Sequence, residues 1–214
     1  QKVVSPTRNV ITVEDPVEYQ MSGIGQIQVN PKIGLTFASG LRAILRQDPD
    51  VVMVGEIRDN ETAEIAIHAS LTGHLVLSTL HTNDAPTAVS RLMDMGVEGY
   101  LVSSSLLGVM AQRLIRKLCK SCKQEYTPEE SELVKMGLDP EKNRGVKFYK
   151  AVGCPSCLNT GYYGRNGVYE VMTVDEDLRS LITRSGEMVA IRKLARSKGM
   201  RTLLEDGVAK VKRG

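Results

Sequence analysis

All four cysteines of this 214-residue chain fall into two Cys-x-x-Cys pairs, Cys119/Cys122 and Cys154/Cys157, separated by 31 residues. Two residues between thiolates allow a tight turn to direct both sulfur atoms at one ion, and two such turns complete the tetrahedron that zinc prefers. Because four protein ligands leave no coordination position open, we expect a structural zinc site and not a catalytic one. The segment between the pairs has few apolar residues, so metal binding would supply its stability.

Two other interpretations of the cysteines remain open, namely reduced thiols in a core and redox-active pairs. Pro155 and the neighbouring Lys120 and Lys123 could favour thiolates, as redox motifs require. Two symmetric pairs that bracket a polar insert fit a metal better.

Composition limits the classes of partner. The formal charge is only +3, from 28 basic and 25 acidic residues, and aromatic residues make up 4% with no Trp. Nucleic-acid binders more often show a strong basic excess or aromatic stacking platforms, so we expect no nucleic-acid partner. The longest apolar runs are far shorter than the roughly 20 residues that cross a bilayer. No export leader starts at Gln1, and we therefore expect a cytoplasmic location.

Hydrophobic patterning predicts an α/β fold. Short β-branched runs alternate with amphipathic segments, which is typical of a parallel sheet covered by helices with ligands at the carboxyl ends of the strands. We predict strands at residues 9–13, 24–29, 50–54 and 75–79, the second as a hairpin strand after the first, and helices at 37–45 and 61–71.

The rest of the chain is predicted to hold a long amphipathic helix, a returning hairpin at residues 161–174 and three closing helices. Apolar residues at 107, 110, 111, 114, 115 and 118 form the stripe of the long helix. The predicted division is residues 1–118 for the sheet core, 119–160 for the cysteine module, and 161–214 for a C-terminal helical region.

Carboxylates follow two of the predicted strands. Glu14 and Asp15 end the first strand, and Glu56 follows Gly55 after the strand at 50–54. On adjacent parallel strands these acids would share one edge, which suits nucleoside-triphosphate hydrolysis, where one carboxylate holds hydrated magnesium and another orients the attacking water. Acids at strand ends are also common caps of the following helix, and that interpretation stays open.

Two histidines flank the strand at 75–79. His74 and His81 are too far apart for a helical metal pair, and such residues are more often satisfied hydrogen-bonding groups than ligands. His81, with Thr79, Thr82 and Asn83 at a strand terminus, could sense a terminal phosphate. His68 lies within a helix and is interpreted as structural.

Together these segments resemble the secretion-ATPase family that powers type II secretion and type IV pili. Residues 11–19 (ITVEDPVEY) resemble its aspartate box, residues 45–59 (LRQDPDVVMVGEIRD) its Walker B segment, and residues 72–83 (TGHLVLSTLHTN) its histidine box. The tetracysteine pattern is similar to the metal module of the secretion and pilus-extension members.

The resemblance implies a partial RecA-like ATPase core, hydrolysis of ATP with Mg²⁺, and a six-subunit ring that is held at the inner membrane by a platform protein. It implies that Glu14 activates water, that Glu56 acts on magnesium through water, and that His81 belongs to the catalytic set. Generic Walker B strands carry an acidic residue at the position that Gly55 occupies in this chain. This difference argues against direct metal contact by Glu56. Further residues that the resemblance assigns to nucleotide binding or subunit contacts are Asp15, Arg42, Arg46, Arg58, His74 and Arg91.

The resemblance is nearer to the type II secretion branch at residues 103–109 and 112–114, with a pilus-extension ATPase as the alternative. One departure is large. The family carries a Gly-x-x-x-x-Gly-Lys-Ser/Thr phosphate loop just upstream of a position like Gln1, and the 214 residues contain none. We therefore expect the C-terminal part of such an ATPase, which by itself binds ATP poorly and hydrolyses it negligibly.

A rival interpretation from another class is a non-enzymatic, zinc-stabilised interaction module, in which the strand-end acids only cap helices and nothing is hydrolysed. A nucleic-acid-translocating ring of the same broad fold is disfavoured by the charge and aromatic counts.

Overall fold

A computed structural model describes Ser5, residues 7–184 and residues 186–213. The chain forms two compact units, Gln1–Leu107 with Val174–Leu194, and Gly108–Thr173 with Ala195–Gly214. Among the described residues, none of the helices is both long enough and apolar enough to cross a membrane. The three-part division stays a prediction. By compactness, the cysteine segment belongs to the second unit.

The first unit is built on a four-stranded parallel sheet in the order β2-β1-β3-β4. This confirms the predicted α/β class and parallel sheet. The strands are β1 (Val10–Glu14), β2 (Gly25–Gln28), β3 (Val51–Val54) and β4 (Leu75–Ser78), and the helices are α1 (Phe37–Ile44), α2 (Asn60–Leu71), α3 (Thr87–Asp94), α4 (Gly99–Ser105) and α6 (Glu176–Arg184).

One face of the sheet is packed closely against α1. Val13, Val52 and Val54 on this face are fully buried, because β-branched residues suit a pleated, covered surface. Gly40 of α1 lies directly over the sheet, where a Cβ would come 3.0 Å from Cγ2 of Val13. The absence of a side chain at Gly40 therefore lets α1 and β1 approach each other closely.

The other face of the sheet is more open. Leu75 and Leu77 of β4 are 39% and 45% exposed, and they share this face with Met53 through the strand register. Strand β4 is also an edge strand of the sheet, with β3 as its neighbour. Exposed apolar side chains on an edge strand are normally covered by another segment or partner.

The second unit is built on a long antiparallel pair, β5 (Gly108–Leu118) with β8 (Tyr162–Thr173). A shorter antiparallel pair, formed by the strands β6 and β7, follows the first Cys-x-x-Cys. The remaining elements are β6 (Gln124–Tyr126), α5 (Glu130–Lys135), β7 (Phe148–Lys150) and α8 (Leu203–Val211), while α7 (Met188–Ser197) starts in the first unit and ends in the second. The three closing helices α6, α7 and α8 agree with the sequence prediction. The hairpin predicted at residues 161–174 is wrong, because this segment is the single strand β8, which pairs with β5.

The prediction of a long helix at residues 107–118 is wrong, because this segment is strand β5. Its apolar spacing fits a helix, but apolar residues stand on both faces of the strand. Ala111 is buried, whereas Met110 and Leu114 on the opposite face are largely exposed. Pairing with β8 along nearly the whole strand satisfies the backbone groups on one edge of β5, and this long-range ladder outweighs the local periodicity.

The prediction of a hairpin strand after β1 is also wrong in direction. Strand β2 forms where alternation placed it, but it pairs with β1 in parallel, with Ile11 opposite Gly25 and Glu14 opposite Gln28. The connection at residues 15–24 is longer than a tight hairpin turn, so the chain returns to the start of the sheet before pairing.

Candidate functional site

The carboxyl ends of β1, β3 and β4 lie side by side. The register pairs Val13 with Val54 and Val54 with Ser78, so the three strands finish at one edge of the sheet. Glu14 is the last residue of β1, and Glu56 and His81 follow closely after β3 and β4. The sequence prediction that acids from neighbouring strands share one edge agrees with this arrangement.

Gly55 determines how closely these ends approach. Its N–H donates to the Val13 carbonyl oxygen at 2.8 Å, so the chain after β3 continues along β1. A Cβ at this position would lie 3.2 Å from that oxygen and 3.4 Å from the Cα of Glu14. A larger residue would crowd the strand end, and glycine thus brings the backbone before Glu56 next to Glu14.

The end of β4 is tied to the same place by two hydrogen bonds. The hydroxyl of Thr79 donates to the Gly55 carbonyl oxygen at 2.7 Å, and the Ile57 N–H donates to the Thr79 carbonyl oxygen at 3.1 Å. The segment that carries His81 is therefore anchored to the segment that carries Glu56.

Glu56 lies at the centre of a charged cluster. One carboxylate oxygen forms an ion pair with Arg58, and the other lies 2.9 Å from Nε2 of His81. The hydrogen bond from Arg58 is the main cause that lowers the pKa of Glu56, against an opposing effect of burial and with a further contribution from His81. The same bond, with additional attraction from Asp15, raises the pKa of Arg58. We call Asp15, Glu56, Arg58 and His81, together with Glu14, the carboxyl-edge cluster.

Glu14 is oriented by two polar side chains that the sequence analysis did not identify. Its Oε1 accepts from the Thr12 hydroxyl at 2.5 Å and from Nε2 of Gln26 at 2.9 Å. Thr12 could have been found from the two-residue spacing that puts it on the same strand face, but Gln26 depends on the parallel register of β2. Both bonds go to one oxygen, and within its described residues the structure records no protein partner for Oε2.

The arginines of the predicted set are only partly brought together. Arg58 belongs to the cluster, whereas Arg42 forms an ion pair with Glu61 at 2.6 Å. Arg46 donates from Nε to the Arg42 carbonyl oxygen at 3.3 Å. Arg91 is an exposed residue of α3. Their assignment to nucleotide or subunit contacts stays a prediction.

His74 lies at the start of β4 and not at its carboxyl end. Its Nδ1 is 2.9 Å from the Ala69 carbonyl oxygen and 3.1 Å from the Thr72 hydroxyl, so it closes the end of α2. The structure therefore separates the two histidines of the histidine box by the length of the strand.

The four cysteines converge in the second unit. All four Sγ atoms lie within 4.8 Å of one another, and three measured Sγ–Sγ distances are 3.8–3.9 Å. A disulfide needs about 2.05 Å between sulfur atoms, so these are separate thiols. Zinc–sulfur bonds of 2.3 Å in a tetrahedron require sulfur atoms about 3.8 Å apart, and the observed separations match that requirement.

Backbone N–H groups point at two of the sulfur atoms. Cys157 Sγ accepts from the N–H of Cys154 and of Gly161, and Cys122 Sγ accepts from the N–H of Gly153. Burial opposes ionisation of Cys157, but the two N–H donors lower its pKa to about 6. Burial raises the pKa of Cys122 to about 11. Four neighbouring thiolates repel one another, so a cation is needed to hold them all ionised together.

The chain matches the family described as type II/IV secretion system protein over residues 1–214. Type II secretion system protein E of Pseudomonas aeruginosa is 56% identical over 208 residues, which is 97% of this chain and 41% of that protein. The type IV pilus assembly ATPase PilB of Thermus thermophilus is 50% identical over 214 residues, which is all of this chain and 24% of that protein. The chain belongs to the type II/IV secretion system protein family.

Solved structures agree at the level of the fold. The pilus retraction motor PilT with bound ADP superimposes with a TM-score of 0.68 at 28% identity, over 99% of this chain and 50% of that one. The ATPase DotB of Legionella pneumophila gives a TM-score of 0.67 at 23% identity, again over 99% of this chain. The chain spans less than half the length of the curated relatives described above.

The ion pair of Glu56 with Arg58 leads to a prediction about acid titration. Because the pKa of Glu56 is lower in the folded chain than its ordinary value of 4.5, the pair stabilises the fold above that value. This contribution is lost as the pH falls through the lowered pKa. Replacing Arg58→Gln should raise the pKa of Glu56 toward the ordinary value, which a carboxyl-detected NMR titration measures.

The exposed Arg8→Gln is the matched control for loss of one guanidinium, and it should leave the Glu56 titration where it is. An identical Glu56 midpoint in the wild type and in Arg58→Gln would show that this ion pair does not set the charge of the cluster.

Proposed function

We propose that the chain is the C-terminal part of a hexameric cytoplasmic ATPase that powers type II protein secretion. The proposal rests on the observation that Glu14, Glu56 and His81 follow the ends of three neighbouring parallel strands, with Glu56 and His81 in direct contact. Open α/β sheets bind ligands at this edge, where a nucleotide would meet all three side chains. The 56% identity to a type II secretion protein E supports this branch.

A type IV pilus assembly ATPase is the second candidate. The match to the PilB protein of Thermus thermophilus extends over the whole chain, at 50% identity. The two candidates share the same chemistry and differ in the machine that the ATPase drives, so the roles below apply to both.

In this proposal Glu14 is the general base. Its hydrogen bonds from Thr12 and Gln26 hold one oxygen, and the other oxygen would orient and deprotonate the attacking water. Glu56 stays ionised because Arg58 lowers its pKa, and it would hold a water of the hydrated magnesium ion. His81, bonded to Glu56, would report the presence of the terminal phosphate to the metal side of the site.

The loop that binds the nucleotide phosphates would come from sequence beyond these 214 residues, which contain no phosphate-loop motif. A longer chain, as in the curated relatives, would also cover the exposed Leu75 and Leu77 of β4 and complete a RecA-like core. We further propose that six such chains form a ring, in which Arg42, Arg46 and Arg91 serve subunit contacts. The ring would work at the inner membrane through a platform protein, without nucleic acid.

We also propose that the four cysteines hold one structural Zn²⁺. The Sγ separations fit the zinc tetrahedron, and the N–H donors from Cys154, Gly153 and Gly161 are the outer contacts that support thiolate ligands. The ion would join the two ends of a module whose paired strands β6 and β7 have three residues each. Such short strands bury too little apolar surface to be stable alone.

The catalytic assignment is tested in protein extended by its upstream region. Glu14→Gln should lower the ATP hydrolysis rate by about 100-fold or more, because a general base contributes at least that factor. The exposed helix residue Glu64→Gln removes the same charge outside the cluster and should keep the wild-type rate.

Hydrolysis that is unaffected by Glu14→Gln would contradict the role of Glu14. Absence of hydrolysis in the extended wild-type protein would favour a non-enzymatic interaction module, in which the strand-end acids only cap helices.

The metal assignment is tested by elemental analysis, which should give about one zinc ion per chain. Removing the ion with a chelator, or replacing Cys157→Ser, should increase amide hydrogen exchange in β6 and β7 while β1 and β3 keep their protection. Ser156→Ala, in the same Cys-x-x-Cys loop, is the matched control and should retain the metal. Zinc near zero in carefully prepared protein would overturn the assignment.

A further inference from the structure

The loop that joins β1 to β2 is held to the sheet by two glutamine side chains of β2. We call residues 16–23 the β1–β2 loop, and within the described residues none of its backbone groups bonds to another backbone group. The Val17 N–H donates to Oε1 of Gln28 at 3.2 Å, and the Met21 N–H donates to Oε1 of Gln26 at 2.8 Å. The placement of the loop backbone therefore depends on these two side-chain amides.

Apolar packing adds little to the attachment at Gln26. The two loop residues whose backbone groups bond to Gln26 are Tyr19 and Met21, and their side chains are 81% and 40% exposed. Since the burial of apolar surface is small here, hydrogen bonds supply most of the attachment.

The amide of Gln26 connects the loop with the carboxylate at the end of β1. Its Nε2 donates to the Tyr19 carbonyl oxygen at 3.0 Å and to Oε1 of Glu14 at 2.9 Å. The Met21 N–H can only donate, so the amide oxygen has to face it and the nitrogen faces Glu14. A reversed amide would place its oxygen beside the Glu14 carboxylate, where two acceptors repel. The loop thus determines which end of the amide Glu14 meets.

Gln28 shows that holding the loop does not require a bond to Glu14. It lies two residues after Gln26 on the same face of β2, and it is the residue that pairs with Glu14 in the strand register. In the part of the chain that the structure describes, its side chain bonds to the Val17 N–H and not to Glu14. Attachment of the loop alone therefore does not account for the contact between Gln26 and Glu14.

We propose that Gln26 is a positioning residue that couples the β1–β2 loop to Glu14. The inference rests on the proposed function, in which Glu14 is the general base. With the loop in place, Gln26 and the Thr12 hydroxyl together hold Oε1 of Glu14. A loop movement that withdraws the Met21 N–H would free the amide to rotate. Glu14 would then lose one of its two donors, and fewer molecules would hold the base in its productive orientation.

The coupling is tested without nucleotide in the 214-residue chain, by NMR measurement of amide hydrogen exchange. Because coupling between two sites is reciprocal, Glu14→Ala should raise the exchange rate of the Met21 N–H by about fivefold or more and leave that of the Val17 N–H unchanged. The matched control Gln28→Met should raise the Val17 rate alone. Thermal melting is recorded for each variant, and Glu14→Gln, which keeps the side-chain length, gives a second test in the same direction.

The consequence for catalysis is tested in protein extended by its upstream region. Gln26→Met should lower kcat for ATP hydrolysis by about tenfold and leave KM for ATP unchanged, because a misplaced base slows only the chemical step. Gln28→Met should keep both constants. A residue that acts through Glu14 has no effect when Glu14 is absent, so Gln26→Met should cause no further loss in the Glu14→Gln background.

The outcomes separate this inference from the proposed function. Unchanged Met21 exchange in both Glu14 variants would overturn the coupling, as would a loss caused by Gln26→Met that persists in the Glu14→Gln background. If Glu14→Gln lowers hydrolysis and Gln26→Met does not, the inference fails while the proposed function stands. If Glu14→Gln leaves hydrolysis unchanged, the role of Glu14 as the base fails, and the exchange rates alone decide whether the loop and Glu14 are coupled.

Discussion

The candidate site depends on the parallel register of β1, β3 and β4. Because Val13 pairs with Val54 and Val54 with Ser78, the three strands end together, and the residues after each strand meet at one edge. The bond from the Gly55 N–H to the Val13 carbonyl oxygen extends this pairing past the end of β3. A shift of one residue would turn Glu14 to the opposite face of the sheet, where α1 packs, and would leave a carboxylate in an apolar core.

Much of this could be predicted from the sequence, because it is encoded locally. The runs at Val10–Glu14 and Val51–Val54 are rich in β-branched residues, and an acidic residue ends the first and closely follows the second. Both the strands and these acids can therefore be recognised in the sequence. The two Cys-x-x-Cys pairs likewise carry their geometry in their spacing. Contacts that depend on register were not predictable, and the bond from Gln26 to Glu14 is the clearest case, since it needs β2 to run parallel to β1.

The error at residues 107–118 has the same physical origin. Six apolar residues at helical spacing are equally compatible with a strand that has apolar residues on both faces, and only the partner decides between them. That partner is β8, more than forty residues later, whose position depends on how the cysteine module brings the chain back. A metal ion bound by the cysteines would hold the end of β5 next to the start of β8, because Cys119 follows β5 and Cys157 precedes β8.

In the proposed site, Glu14 and His81 lie at the terminal phosphate of one bound nucleotide and Glu56 lies at its metal ion. Anomalous scattering from Mn²⁺ locates that ion most directly, in crystals of the protein with its upstream region and a non-hydrolysable ATP analogue. We expect a single Mn²⁺ peak roughly 4–5 Å from the Glu56 carboxylate, which is the distance of a water-mediated contact, with Glu14 facing the terminal phosphate. A peak at another edge of the sheet, or a terminal phosphate out of reach of Glu14, would contradict it.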